Sequence, residues 1–260
     1  MRRDNIFWGG ALILVGVLFL LQTQNIIPSI FPFLWPLALM LFGIWMIVSV
    51  YWKPGSSNEE TFSVPLQNAK TVKYKFSHGA GQIEINGGAP AGIALVGLSA
   101  DGMNENSRLD GDRLSVRVEA GASFVPFIGP SGGVFKFKLS NDVPAIISVE
   151  TGASQLDMDL TDVPASEIRL ETGASSSNLT LPARGSYHLD LEAGAASINI
   201  RVPDGVSGRI RVNEGLTSIN VDTSRFLQLD ARLYQSADYD NATNRAEISI
   251  EAGLGSINIR

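Results

Sequence analysis

From Thr61 onward, apolar and polar side chains alternate in short runs, and a glycine interrupts the alternation at a fixed interval. The runs read VETGASQLDMDL (149–160), LETGASSSNLTL (170–181), LEAGAASINIRV (191–202) and VNEGLTSINVDT (212–223). Gly152, Gly173, Gly194 and Gly215 therefore fall 21 residues apart, and a closing copy, IEAGLGSINIR, is centred on Gly253 after a longer gap. Alternation with period two is the mark of a strand with one buried face. A fixed short period means stacked, near-identical coils, in which each unit buries its apolar face against its neighbours.

The unit IRLETGASSSNLTLP shows how one coil is built. Ile168 and Leu170 alternate with Arg169 and Glu171. Gly173 is expected to supply a backbone conformation that residues with a Cβ resist, and Ala174 and Ser175 are small enough for adjacent coils to approach. A second strand follows, and Pro182 ends it because proline donates nothing to a sheet ladder. Val143-Pro144, Val163-Pro164 and Val202-Pro203 end their coils likewise. The expected fold of residues 61–260 is all-β: a β-solenoid-like stack of ~21-residue two-strand repeats. KFSHGAGQIEI (75–85) and VRVEAGASFVPFI (116–128) are degenerate earlier copies. The frames of leucine-rich and calcium-binding nonapeptide repeats are absent. Two segments break the pattern: 124–137 (FVPFIGPSGGVFKF) and 226–245. The first either covers an open end of the stack or presents Phe124 and Phe127 to a partner or membrane; the second carries Tyr234 and Tyr239 to close the last coil.

The pattern before residue 53 is different. Residues 5–52 contain no charged side chain. Two apolar stretches, 6–22 and 29–50, flank a short polar break. At the rise of a helix the second reaches about 30 Å, enough to cross a hydrocarbon core. No small-residue cleavage site follows the first, so a two-helix transmembrane hairpin (1–52) is the better reading than a signal peptide. Residues 53–60 form a polar linker. Arg2 and Arg3 before the first span and Lys53 after the second place both ends, and the β domain with them, on the cytoplasmic side of the membrane.

Register generates two ladders. Five residues after each glycine come Glu84, Asp157, Asn178, Asn199, Asn220 and Asn258. Stacked asparagines hydrogen-bond up the column and reinforce it. Two residues before each glycine come Glu119, Glu150, Glu171, Glu192 and Glu251, with Asn213 interrupting. Neighbouring carboxylates ~5 Å apart in water repel by roughly 0.8 kcal/mol. Either the column is a solvated acidic face, relieved by Arg169 and Arg211, or it receives a cation, a polysaccharide or a basic protein partner.

Charge and composition narrow the function. Once Arg2, Arg3, Lys53 and Asp4 are set apart, residues 54–260 carry 17 basic and 25 acidic side chains. That balance disfavours nucleic acid as a partner. With 0 cysteines there is neither a thiol nucleophile nor a thiolate metal site. The two histidines, His78 and His188, sit within repeats and read as structural. Neither a phosphate-cradling loop nor a nucleophile elbow is present. Catalytic, cofactor-binding and metal-binding residues are accordingly expected to be none.

Both halves resemble known modules. NIFWGGALILVGVLFLLQ followed by WPLALMLFGIWMIV resembles the transmembrane module of bacterial LiaI/LiaF-type envelope-stress proteins. The repeats, ending in EISIEAGLGSINIR, resemble the toastrack, or adhesin-type, β domain that accompanies such modules in LiaF- and PspC-like proteins. The resemblance implies a membrane-anchored sensor, regulator or scaffold in envelope-stress signalling, acting on a sensor kinase or self-associating in the bilayer. It brings no catalytic residues, and this chain has two spans where some relatives have four. The expected function is non-enzymatic display of a rigid β face to a protein partner. The alternative is an extracytoplasmic adhesin or surface-structural protein.

Overall fold

Alternation of buried and exposed side chains persists along strands of 15 to 17 residues, far longer than the connections between them. The computed structural model describes residues 39, 60–99, 103–120 and 134–260. The expected membrane hairpin, the linker up to residue 59, and Phe124 and Phe127 lie outside the described residues. Among those described, no helix is long and apolar enough to cross a membrane.

In chain order the strands are β1 (Glu60–Pro65), β2 (Thr71–Gly87), β3 (Ile93–Ser99), β4 (Met103–Asp110), β5 (Arg113–Ala120) and β6 (Val134–Leu139). They continue with β7 (Ala145–Asp159), β8 (Ala165–Thr180), β9 (Ser186–Arg201), β10 (Ser207–Val221), β11 (Leu227–Asp230), β12 (Leu233–Gln235) and β13 (Arg245–Ile259). A 3-10 turn, Tyr239–Asn241, precedes β13. The long strands β2, β7, β8, β9, β13 and β10 lie side by side in that order, all parallel.

A 15-residue strand is about 50 Å long if straight, whereas five residues reach at most ~18 Å. Successive rungs joined by residues 160–164 and 181–185 can therefore be parallel neighbours only if each strand folds back on itself. The fold-back is at the glycine. In β8 the alternating buried positions leading up to Gly173 are Ile168, Leu170 and Thr172, after Ala165 at the strand's start, whereas beyond it they are Ser177 and Leu179, so the inward phase changes there. Ladder pairing skips each glycine, passing from Thr151–Thr172 to Ala153–Ala174. What had been expected as two strands per repeat is one continuous bent strand.

Inward columns run up the stack. One is Tyr74, Ile147, Ile168, Leu189, Ile248 and Ile210; another, beyond the bend, is Ile85, Met158, Leu179, Ile200, Ile259 and Val221. Closing the coils, Val72 N–H donates to the Pro144 carbonyl and Ala145 N–H to the Pro164 carbonyl, both at 3.0 Å.

At the first end the stack forks. The first half of β2 (Thr71–Ser77) pairs with β5, which β4 extends antiparallel. The second half (Gln82–Gly87) pairs with β6, and β3 and β1 extend that arm. Tyr74 fastens the two together: its hydroxyl donates to the Ala94 carbonyl at 2.6 Å and receives Ser140 N–H at 3.4 Å. Burial pushes this phenol well above its ordinary pKa. At the other end β12 pairs with Arg209–Arg211 of β10, and β11 completes the hairpin. Tyr239 is buried there beneath the Arg209 guanidinium, 4.2 Å from its ring centre.

The strand order differs from the expected one. The closing copy, β13, does not follow β10 at the end of the stack; it lies between β9 and β10. Period alone could not reveal this, because Gly215 falls at the interval that a direct successor of Gly194 would have.

Candidate functional site

The glycine of each rung is followed along the stack by the glycine of the next. A Cβ on Gly173 would stand 2.9 Å from the Gly152 carbonyl oxygen; on Gly194, 2.8 Å from that of Gly173; on Gly253, 2.8 Å from that of Gly194. None of these glycines has positive φ. The sequence-based reason for them, a conformation closed to other residues, is therefore replaced by another: backbone approaches backbone too closely for any side chain.

Bare of side chains, the glycine column forms the floor of an open trough of about 1020 Å³. The glutamates two positions earlier form its wall, since they and the glycines face outward on the same side of the strand. Register fixes their order as Glu119, Ser77, Glu150, Glu171, Glu192, Glu251 and Asn213. Asn213 thus ends the acidic column where sequence had placed it as an interruption. Ser77, which sequence reasoning passed over, separates Glu119 from Glu150.

These carboxylates are not equivalent. Lys75 Nζ lies 2.5 Å from Glu150 Oε1, and Ser77 Oγ donates to Glu150 Oε2 at 3.3 Å. The Lys75 hydrogen bond, helped by its charge and opposed by partial burial, holds the Glu150 carboxyl below its ordinary pKa. Arg169 and Arg211, expected to relieve the column, are engaged elsewhere: Arg169 pairs with Asp190 at 3.3 Å and Arg211 with Glu247 at 2.7 Å. Among the described residues no cation lies within ion-pair distance of Glu171, Glu192 or Glu251. Glu251 accepts a long 3.5 Å bond from Asn213 Nδ2.

Beyond the bend, Asn199 Nδ2 donates to Asn178 Oδ1 at 3.0 Å, and Asn258 Nδ2 donates to Asn199 Oδ1 at 3.1 Å. Asn220 is next in register. Glu84, at the far end of this row, pairs instead with Lys136 at 3.2 Å. His188 lies opposite Glu167 and Glu247 on neighbouring rungs. His78 is turned into the fork, its ring edge-on to Phe135 at 4.7 Å, and its Nε2 makes no hydrogen bond. Burial lowers its pKa. Among the described residues no group of three or more histidine or acidic side chains is arranged to hold a metal ion.

Residues 53–201 match the family model described as the N-terminal domain of toast_rack, DUF2154, and residues 6–47 match the LiaI-LiaF-like transmembrane region. A crystal structure from Clostridium sporogenes, described as a "putative cell adhesion protein", superposes with a TM-score of 0.68 at 18% identity, covering 78% of this chain and 99% of that one. A second, a "putative adhesin" from Bacteroides fragilis, gives a TM-score of 0.30 at 9% identity, with 79% and 98% covered. At such identity the first likeness concerns the fold alone. No curated protein matches.

Proposed function

The chain belongs to the toast_rack N-terminal-domain family and carries a LiaI-LiaF-like transmembrane region, and from that premise we propose that it is a non-enzymatic, membrane-anchored scaffold or regulator in bacterial envelope-stress signalling. A two-span hairpin holds the β-solenoid-like stack at the cytoplasmic face, and the stack presents its trough to a protein partner. The observation that carries this reading is the run of Glu171, Glu192 and Glu251, three consecutive rungs without an ion-pair partner among the described residues, beside bare glycine backbone. Each adjacent pair repels by roughly 0.8 kcal/mol in water, a cost that basic side chains of a docked protein remove. Rungs fixed by continuous ladders need no rearrangement to receive it, so little ordering entropy is lost on the scaffold's side.

The test is a membrane crosslinking pull-down with the full chain as bait, in parallel with an E171Q/E192Q/E251Q variant. The wild type captures a discrete partner, and the variant loses most of it while folding normally. Equal capture by both would reduce the acidic column to ordinary surface.

A second reading, an extracytoplasmic adhesin or surface-structural protein, is favoured by the description attached to the Clostridium sporogenes structure. The two readings place the β domain on opposite sides of the membrane.

A further inference from the structure

The connections within the stack conflict with its strand order. Residues 160–164 join β7 to β8, residues 181–185 join β8 to β9, and residues 202–206 join β9 to β10, five residues each time. The first two climb one rung. The third climbs two, because β13 lies between the strands it joins.

β10 is also a chemical match for the rung it does not touch. Placed directly on β9 at the 21-residue interval, it would set Ile210 on Leu189, Val212 on Leu191, Ile219 on Ile198 and Val221 on Ile200. These are the same inward columns that β13 now fills with Ile248, Ile250, Ile257 and Ile259. Asn220 would extend the ladder from Asn199. Arg211 would face Asp190, an opposite charge, and Asn213 would replace Glu251 beside Glu192. The β11–β12 hairpin is attached to β10 alone among the rungs, so it can travel with it.

We propose that the space between β9 and β10 is a strand-acceptor site for an extended peptide of the pattern in residues 245–259, and that β10 closes directly onto β9 when this strand is withdrawn. In a stack whose rungs touch only their neighbours, stability is a sum of rung and interface contributions. Removing β13 therefore shortens the stack by one rung without leaving an apolar slot open. The C-terminal strand is a removable element: it can be surrendered to another binding surface, or replaced by an equivalent strand supplied in trans.

The absence of native cysteine makes the test clean. Ser197, Ser256 and Ser218 occupy one row on β9, β13 and β10. Two strand spacings, roughly 9.6 Å, separate Ser197 from Ser218, too far for a disulfide, which needs Cα atoms within about 7 Å. In the full chain, S197C/S256C should cross-link on oxidation and S197C/S218C should stay reduced. In the same chain ending at Asn244, S197C/S218C should cross-link almost completely while the protein still melts cooperatively at a lower Tm. A synthetic peptide of residues 245–260, added before oxidation, should suppress that cross-link severalfold. An I250D substitution in the full-length S197C/S218C protein should produce the cross-link without truncation. No S197C–S218C cross-link in either the truncated or the I250D protein overturns the proposal, whether the stack stays folded or frays. A cross-link that the peptide leaves unchanged overturns the acceptor site.

Discussion

Gly173 carries its reason in a single distance: the Cβ of an alanine there would sit 2.9 Å from the backbone oxygen of Gly152 on the preceding rung. Neither atom is the end of a flexible side chain, so strands must separate locally. Gly173→Ala should cost about 1–3 kcal/mol, the usual range for an overpacked site, read from the midpoint of denaturant unfolding. His78 makes a different kind of statement. Its pKa is depressed in the folded protein by burial against Phe135. The unfolded chain therefore binds more protons between that lowered value and about 6.5. Stability is full above about pH 6.5 and falls as the pH drops through that window. Glu150, also depressed, adds its own loss only at lower pH, as its carboxylate protonates. His78→Leu should flatten the upper window and leave the lower one, checked by Tm against pH. The functions of these residues were unequally legible. Alternation and period identified Gly173 as structural, but the contact that demands it is between rungs, and no local pattern encodes a backbone approach. His78 reads from the sequence as part of a repeat, whereas its edge-on contact with Phe135, 57 residues away in sequence, has no local signal.

Among the elements, the ladder beyond the bend concentrates its hydrogen bonds on one member. Asn199 both donates to Asn178 and accepts from Asn258. Asn199→Ala thus breaks two exposed bonds and Asn178→Ala one. We expect a loss near 1 kcal/mol for the first and about half that for the second, within the net range for such bonds, measured by chemical denaturation. This ladder was readable from spacing because its members occupy one phase of a regular repeat. The acidic column was readable in membership and not in order. β13 carries Glu-Ala-Gly and Ser-Ile-Asn-Ile, as β9 does, while β10 carries Asn-Glu-Gly. That kinship was the available signal that β13 belongs beside β9. The early strands were nearly silent. β4, MNENSRLD, is exposed along almost its whole length and has no buried face to impose alternation. The fork at β2 follows from parallel pairings of its two halves with β5 and β6, partners that are remote in sequence.

For the whole molecule, the question that separates regulator from adhesin is which side of the membrane the stack occupies. With Arg2, Arg3 and Lys53 flanking the apolar stretches and the positive-inside bias applied, the β domain should resist external protease in intact cells and be digested once the membrane is permeabilised. Exposed connection residues such as Asp204 and Gly205 offer sites of attack. Digestion from outside in unbroken cells would sink the cytoplasmic placement and favour the surface protein.

The fork also decides how the molecule would fail under tension. A pull entering at Glu60 acts first on β1, which is held only by the antiparallel β3 and stands at the margin of the sheet. The opposite terminus, by contrast, is clamped between two neighbours over nearly its full length. Load from the N-terminal side would therefore strip a thin outer ribbon while the glycine-lined trough kept its shape. That leaves the acidic face mechanically insulated from a load applied at Glu60.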